Sequence, residues 1–234
     1  MNTRLDKFLS HALNLSRTDV KKLIRGGGVS VNGLPEKSFD RHIDFECDEV
    51  RVNGVPVSGG HIYIALNKPS GYVSSTEDSK DRTVLELVPE TLMRKGLFPA
   101  GRLDKYTTGL MIITDDGEFA HNILSPAHHI EKVYTAVTDR KLDSEQEVAF
   151  RRGVCPREEL FKSAGLEYKG VNEHGFVYEV RLREGRYHQI KRMFDSFGAK
   201  VLLLHRTAIG ELALPEGLKP GECVEVRRED ITGE

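Results

Sequence analysis

Residues 100–114, Ala100-Gly101-Arg102-Leu103-Asp104-Lys105-Tyr106-Thr107-Thr108-Gly109-Leu110-Met111-Ile112-Ile113-Thr114, constrain this chain more than any other stretch. They set a carboxylate beside an arginine in a polar turn, directly ahead of an apolar run that reads as a buried strand. Loops held by a rigid scaffold are where chemistry tends to sit. By residue type alone, Asp104 reads either as a turn aspartate capping backbone amides or as a catalytic carboxylate, and spacing leaves both open.

The 234 residues allow one large domain, or a small domain plus a larger one. No run of about 18 apolar residues occurs, so no membrane-spanning helix is expected, and the first residues lack an apolar leader. Cys47, Cys155 and Cys223 are far apart and odd in number, as expected of free thiols in a reducing cytoplasm. Charge is unevenly spread. Residues 1–41 carry eight Lys/Arg against four Asp/Glu, so a front end of +4 precedes a body of −6 within a chain of net −2. A basic front end reads as a polyanion-binding surface or, equally, as a solvated helix face.

Leu5, Phe8, Leu9, Ala12 and Leu13 lie on one helix face. Ser16 with Asp19 is a variant capping box that starts a second helix. There Val20, Leu23 and Ile24 form the apolar stripe, and Arg17, Lys21, Lys22 and Arg25 stay exposed. Gly26-Gly27-Gly28 follows a helix and precedes a strand, the reverse of a phosphate loop, and reads as a helix stop and corner. Val29-Ser30-Val31-Asn32-Gly33 and Val50-Arg51-Val52-Asn53-Gly54 each give a strand and an Asn-Gly turn. Ser58-Gly59-Gly60 is the expected linker. Domains are therefore expected over 1–58 and 61–234.

In the larger part, Ile62–Leu66 reads as a buried strand that stops at Asn67-Lys68-Pro69-Ser70-Gly71. Thr83 is expected to cap a helix over 84–95, interrupted near Pro89, and Asp115-Asp116-Gly117 leads into a helix over 118–124. His128 and His129 are adjacent, but no Cys or carboxylate is spaced to complete a metal site with them. Glu131–Val137 alternates as a strand, in which Tyr134 reads as a half-buried sheet tyrosine. Residues 143–152 read as a helix. After a strand over 176–182, Ile190, Met193, Phe194 and Phe197 mark the core face of another helix. Strands at 200–205 and 222–226 precede a frayed tail over 230–234.

The front end, through Arg4-Leu5-Asp6-Lys7-Phe8-Leu9, Ser16-Arg17, Leu23-Ile24-Arg25-Gly26 and Val29-x-Val31-Asn32-Gly33, resembles the S4-type RNA-binding domain. That likeness implies phosphate contacts by Arg17, Lys21, Lys22 and Arg25, which position RNA without reading its sequence. Gly101-Arg102-Leu103-Asp104 followed by Thr-Thr-Gly-Leu resembles the signature of pseudouridine synthases. Asn67-Lys68-Pro69, Lys132-Val133-Tyr134 and Gly185-Arg186-Tyr187-His188-Gln189-Ile190-Lys191-Arg192 are similar to the remaining motifs of that family. The implied fold is α+β: a small N-terminal S4-like RNA-binding domain, then a larger domain whose mixed, mostly antiparallel sheet is flanked by helices.

The resemblance also implies a chemistry. Asp104 would serve at the ribose C1′ as a nucleophile or by assisting elimination to a glycal, much as carboxylates serve glycosidases. Lys191 would pair with it, since a nearby cation favours the charged carboxylate. Many relatives carry arginine there, and a lysine supplies a point charge in place of a fork. Tyr134 would stack on the target uracil, Ile190 would pack its other side, and Asn67-Lys68-Pro69 would brace the aspartate loop. Arg102 would fill the space left by the extruded nucleotide, or form a surface salt bridge. No cofactor and no metal are implied. Leu66–Val73, Ser125–Lys132 and Glu184–Gln189 look most like the branch acting on small-subunit 16S rRNA. The expected substrate is that rRNA or an assembly intermediate containing it, and the expected state is a monomer away from membranes. The alternatives are a large-subunit 23S rRNA enzyme with the same chemistry and a non-catalytic rRNA-binding assembly factor.

Overall fold

The computed structural model describes residues 2–44, 47–57, 59–125, 130–155 and 160–233. Ser58 of the expected linker and the adjacent His128 and His129 lie outside the described residues. The chain divides into two compact units, Met1–Ile62 with Glu90–Leu97, and Tyr63–Pro89 with Phe98–Glu234.

In the first unit, β1 (Asn2–Arg4) leads into α1 (Leu5–Ala12) and α2 (Arg17–Arg25). Ser16 caps α2, its Oγ accepting from the Asp19 N–H at 3.1 Å. Then come β2 (Val29–Val31), β3 (Leu34–Pro35), β4 (His42–Asp44), β5 (Val50–Val52) and β6 (Val55–Pro56). Two hairpins pair through β2 and β5 into a four-stranded sheet ordered β3-β2-β5-β6, while β1 pairs with β4. Both Asn-Gly turns place both residues at positive φ, the mirror-image turn whose twist suits a tight hairpin. Leu5, Leu9, Val20, Ile24, Val31 and Ile43 form the core of this unit. Arg94, in the 90–97 segment, donates Nη1 to the Gly60 carbonyl at 3.0 Å.

The second unit is built on a nine-stranded sheet. Its elements are β7 (Tyr63–Lys68), a single 3₁₀ turn (Val84–Leu87), β8 (Phe98–Pro99), β9 (Thr108–Thr114), α3 (Gly117–Leu124), β10 (Lys132–Thr138), α4 (Ser144–Arg151), β11 (Gly165–Asn172), β12 (Gly175–Leu182), α5 (Gln189–Ser196), β13 (Val201–Ile209), β14 (Leu212–Ala213), β15 (Cys223–Val226) and α6 (Arg228–Thr232). The main strand order is β11-β12-β10-β13-β9-β7-β15, with β14 on β13 and β8 on β9. β9 and β13 pair in parallel and the other named strand pairs are antiparallel. The sheet is thus mixed and mostly antiparallel.

Gly109 makes the parallel pairing possible. At φ +101° it lies so close to Arg206 that a Cβ there would overlap that residue's backbone. One apolar cluster gathers Phe150, Tyr178, Ile190, Met193 and Phe194, and a second gathers Ala65, Leu110, Ile112, Phe119 and Ile231.

Three local expectations change. The helix over 84–95 is only the 3₁₀ turn, because Pro89 confines Val88 to the extended region (φ −75°, ψ 121°). The first strand of this unit runs through Asn67 to Lys68, whose buried ammonium finds acceptors described below. Through residue 233 the tail is not frayed. It forms α6, where Asp230 accepts the Arg227 N–H at 2.9 Å and Ile231 is fully buried.

Candidate active site

Asp104 sits in the turn that feeds β9, and its carboxylate caps no backbone amide of the described residues. Its Oδ2 lies 2.7 Å from the Lys191 Nζ, and its Oδ1 lies 3.2 Å from the His188 Nε2. The Thr107 hydroxyl donates to Oδ2 at 3.5 Å. One side chain from the turn therefore meets two from the start of α5, across 87 residues of sequence for the lysine. The pair is partly open to water, with 28% of the Asp104 side chain and 34% of the Lys191 side chain exposed. Contact of this kind orients more than it stabilises.

The turn itself is pinned from below. Lys68 is fully buried at the end of β7. Its Nζ donates to the carbonyls of Pro69 (3.1 Å), Asp104 (3.2 Å), Lys105 (3.1 Å) and Thr107 (2.9 Å). Burial pushes its pKa down to about 8, opposed by the negative charge of Asp104 and reinforced by Arg206 and Lys191. Ser74 holds the residue before the aspartate, donating to the Leu103 carbonyl at 2.7 Å and accepting its N–H at 3.0 Å. Both flanks of Asp104 are thus fixed by side chains from the end of β7 and the segment that follows it.

The α5 side is set by a second buried network. Glu184 accepts from the Gln189 Nε2 at 2.8 Å and from the Lys162 N–H at 2.9 Å, and Gln189 Oε1 accepts the Arg186 N–H at 3.1 Å. This tightly bound loop turns at His188, which adopts left-handed backbone angles (φ 51°, ψ 29°) immediately before α5. Such a backbone is uncommon for a residue with a Cβ and persists where its surroundings enforce it.

Asp104, Glu184, His188 and Lys191 line one cleft of about 90 Å³, open at its mouth. Its walls include Arg102, Asp104, Thr107, Tyr134, Glu184, His188, Ile190 and Lys191. Tyr134 is half-buried on β10. Its hydroxyl accepts a long contact of 3.5 Å from Arg206, whose Nε donates to the Leu110 carbonyl at 2.7 Å. Ile190 is buried, and Arg102 is exposed with no ion pair to any described residue.

Residues 62–196 match the family model described as RNA pseudouridylate synthase, more than half of the chain. The chain belongs to that family. Residues 3–38 of this pseudouridine synthase match the S4 domain model. The ribosomal small subunit pseudouridine synthase A of Yersinia pestis is 41% identical over 232 residues, covering 97% of this chain and 96% of the relative. The protein of the same name from Escherichia coli (strain K12) is 40% identical, with 97% and 98% covered. A crystal structure of a pseudouridylate synthase superposes with a TM-score of 0.64 at 35% identity, covering 97% of both chains.

In this pseudouridine synthase, the residues expected from sequence fall into two groups. Asp104, Lys191, Tyr134, Ile190 and Arg102 meet at the one cleft. Arg17, Lys21, Lys22 and Arg25 lie on α2 of the other unit. Arg17, Lys22 and Arg25 are exposed there, while Lys21 is partly covered with its Nζ 4.5 Å from the Phe39 ring centre. Sequence reasoning missed His188 and Thr107 as Asp104 partners and Arg206 behind Tyr134. Thr107 carries the same signature as its neighbours and was within reach. His188 stood inside the Gly185–Arg192 motif without an assigned role, and Arg206 gave no local signal, because long-range packing places it.

Proposed function

We propose that this enzyme converts one uridine of small-subunit 16S rRNA to pseudouridine, with Asp104 as the catalytic carboxylate. The observation that carries the role of Asp104 is its 2.7 Å contact with Lys191 in a cleft shared with Tyr134 and Ile190. The substrate reading is supported by relatives at 40–41% identity that are named for the small ribosomal subunit.

The isomerisation breaks the bond from C1′ to N1, turns the base, and joins C1′ to C5. A proton leaves C5 and N1 gains one, so the reaction balances with no external reductant or energy source. Asp104 serves at the sugar, as nucleophile at C1′ or as the group that assists elimination to a glycal. Lys191 orients and neutralises it. Tyr134 lies against one face of the uracil and Ile190 against the other. Extruding the uridine from its stack costs a few kcal/mol, and Arg102, exposed at the rim, fills the space it leaves. The catalytic domain is assigned to 61–234 and the RNA-binding domain to 1–58, where Arg17, Lys21, Lys22 and Arg25 contact phosphates.

Pseudouridine mapping of 16S and 23S rRNA, in cells with and without this protein, tests the reading. One 16S site should vanish, return with the wild-type gene, and stay absent with D104N, whose turnover should fall at least about 10³-fold. Loss of a 23S site in its place overturns the substrate, and restoration by D104N overturns the role of Asp104.

A further inference from the structure

Next to Asp104 stands an aromatic pair that the reaction above does not use. The rings of Tyr187 and His188 stack with centres 3.8 Å apart and planes 18° from parallel. His188 turns its Nε2 inward to Asp104, while Tyr187 is 76% exposed. The left-handed backbone at His188 produces this division, since it lets consecutive residues point one ring at the cleft and hold the other flat on top of it. The tyrosine is further tied by its carbonyl, which accepts from Arg192 Nη1 at 3.5 Å. Its outer face stays open, with 76% of the residue exposed. A single exposed tyrosine is ordinary. One held rigid by a strained neighbour, one residue from a contact of the reactive carboxylate, is not.

We propose that the Tyr187–His188 stack is a base-binding platform for a nucleotide flanking the target uridine. The proposal rests on the reading of the cleft as a site for uridine in RNA. Every nucleobase offers a flat π-face, so an aromatic platform takes a single-stranded neighbour whatever its identity. Arg102 and Arg186, both exposed and both on the cleft wall, supply positive charge for the accompanying phosphates. A base stacked on Tyr187 would extend a three-ring column ending at His188 and, through its Nε2, at Asp104. Holding the flank in this way positions the extruded uridine, because the two are joined by one phosphodiester.

The chain contains no tryptophan, so Y187W places a single indole at the platform. Titration of Y187W with a fluorescein-labelled single-stranded oligouridylate reads stacking as quenched indole emission and binding as anisotropy. Quenching that saturates with the anisotropy is expected. Y187A should weaken binding roughly 5- to 150-fold, the range of one lost base–aromatic stack, and Y187F should keep the wild-type affinity. Binding without quenching, no binding at all, or equal affinity in Y187A overturns the platform. The titration needs no turnover and is repeated in the D104N background. Quenching there, alongside persistent pseudouridine formation by D104N, would keep the platform and remove the Asp104 assignment.

Discussion

The two cation-bearing regions of this protein are built in opposite ways. On α2, Arg17, Lys22 and Arg25 come from one short helix and are exposed by its periodicity alone, with Val20 and Ile24 buried on the other side. At the cleft, the groups that contact Asp104 or support its turn come largely from distant elements. Lys68 reaches the turn from β7, Lys191 and His188 from the start of α5, and Arg206 lies behind Tyr134 from β13. A charged helix face needs only that the helix forms. A charged pocket needs the entire sheet in register. Losing one residue should therefore cost the cleft much and the helix little.

The largest expected effect is at Lys68. K68M keeps most of the stem but takes the ammonium from the carbonyls of Pro69, Asp104, Lys105 and Thr107. Among the described residues, only those of Asp104 and Lys105 keep a backbone donor, from Thr107 and Gly71. Stability to urea should fall by about 1–3 kcal/mol, the cost of leaving buried acceptors unpaired. A fall below about 1 kcal/mol would mean that water reaches those carbonyls as readily as the lysine does. The effect carries a pH signature. Burial takes Lys68 from an ordinary 10.5 to about 8, so across that window the unfolded chain holds more of the proton. Stability contributed by this group then rises with pH, and wild type should gain on K68M between pH 8 and 10.5.

Lys191 comes next and should touch activity more than stability, because both members of its pair are partly solvated. K191A should lower kcat by about 10²-fold through misplacement of Asp104. K191R should recover much of it, since a guanidinium fork also reaches a carboxylate. If K191R is no better than K191A, the compact ammonium is required, which would follow if a fork competes with His188 for Oδ1. Single-turnover kinetics on the rRNA identified by mapping separates these outcomes.

Much of this molecule was legible in the sequence, and the part that was not follows a physical rule. The Asn-Gly hairpins, the capped α2, and the buried strand after Asp104 are each specified by residues adjacent to the structure they make. The expected helix after Thr83 failed for the same kind of reason, since its single proline outweighed its apolar content. Motif resemblance, rather than periodicity, brought Asp104, Tyr134 and Lys191 onto one site. The resemblance also implied that Asn67-Lys68-Pro69 braces the aspartate loop, and what neither reached was how it does so. Lys68 read as a turn residue, yet it extends its strand and holds four carbonyls, because a buried lysine becomes favourable only once the acceptors have been folded around it. His188 is the same case, since its left-handed backbone follows from the Glu184–Gln189 network and not from its own preference.

The smallest expected effects belong to α2, where they make the sharpest test of the contrast. R17Q, K22Q and R25Q remove exposed charges from a helix whose buried face they do not touch, so the melting temperature should hardly move. Even the Lys22–Asp19 contact, at 3.3 Å between two exposed side chains, contributes little. RNA affinity should still drop, uniformly across sequences, and the slope of log Kd against log salt should shrink by about 1 for each phosphate contact removed. K21Q and, less so, R25Q should also cost a little packing, because Lys21 Nζ and Arg25 Cζ lie 4.5 Å and 5.6 Å from the Phe39 ring centre. Measured from low to high salt by filter binding, an unchanged slope in the triple variant would mean that these cations only solvate a helix. A slope reduced by about 3 would mean that each grips one phosphate. That outcome would make the helix face a set of independent, additive contacts, whereas the cleft is a network in which Lys68, Lys191 and Asp104 fail together.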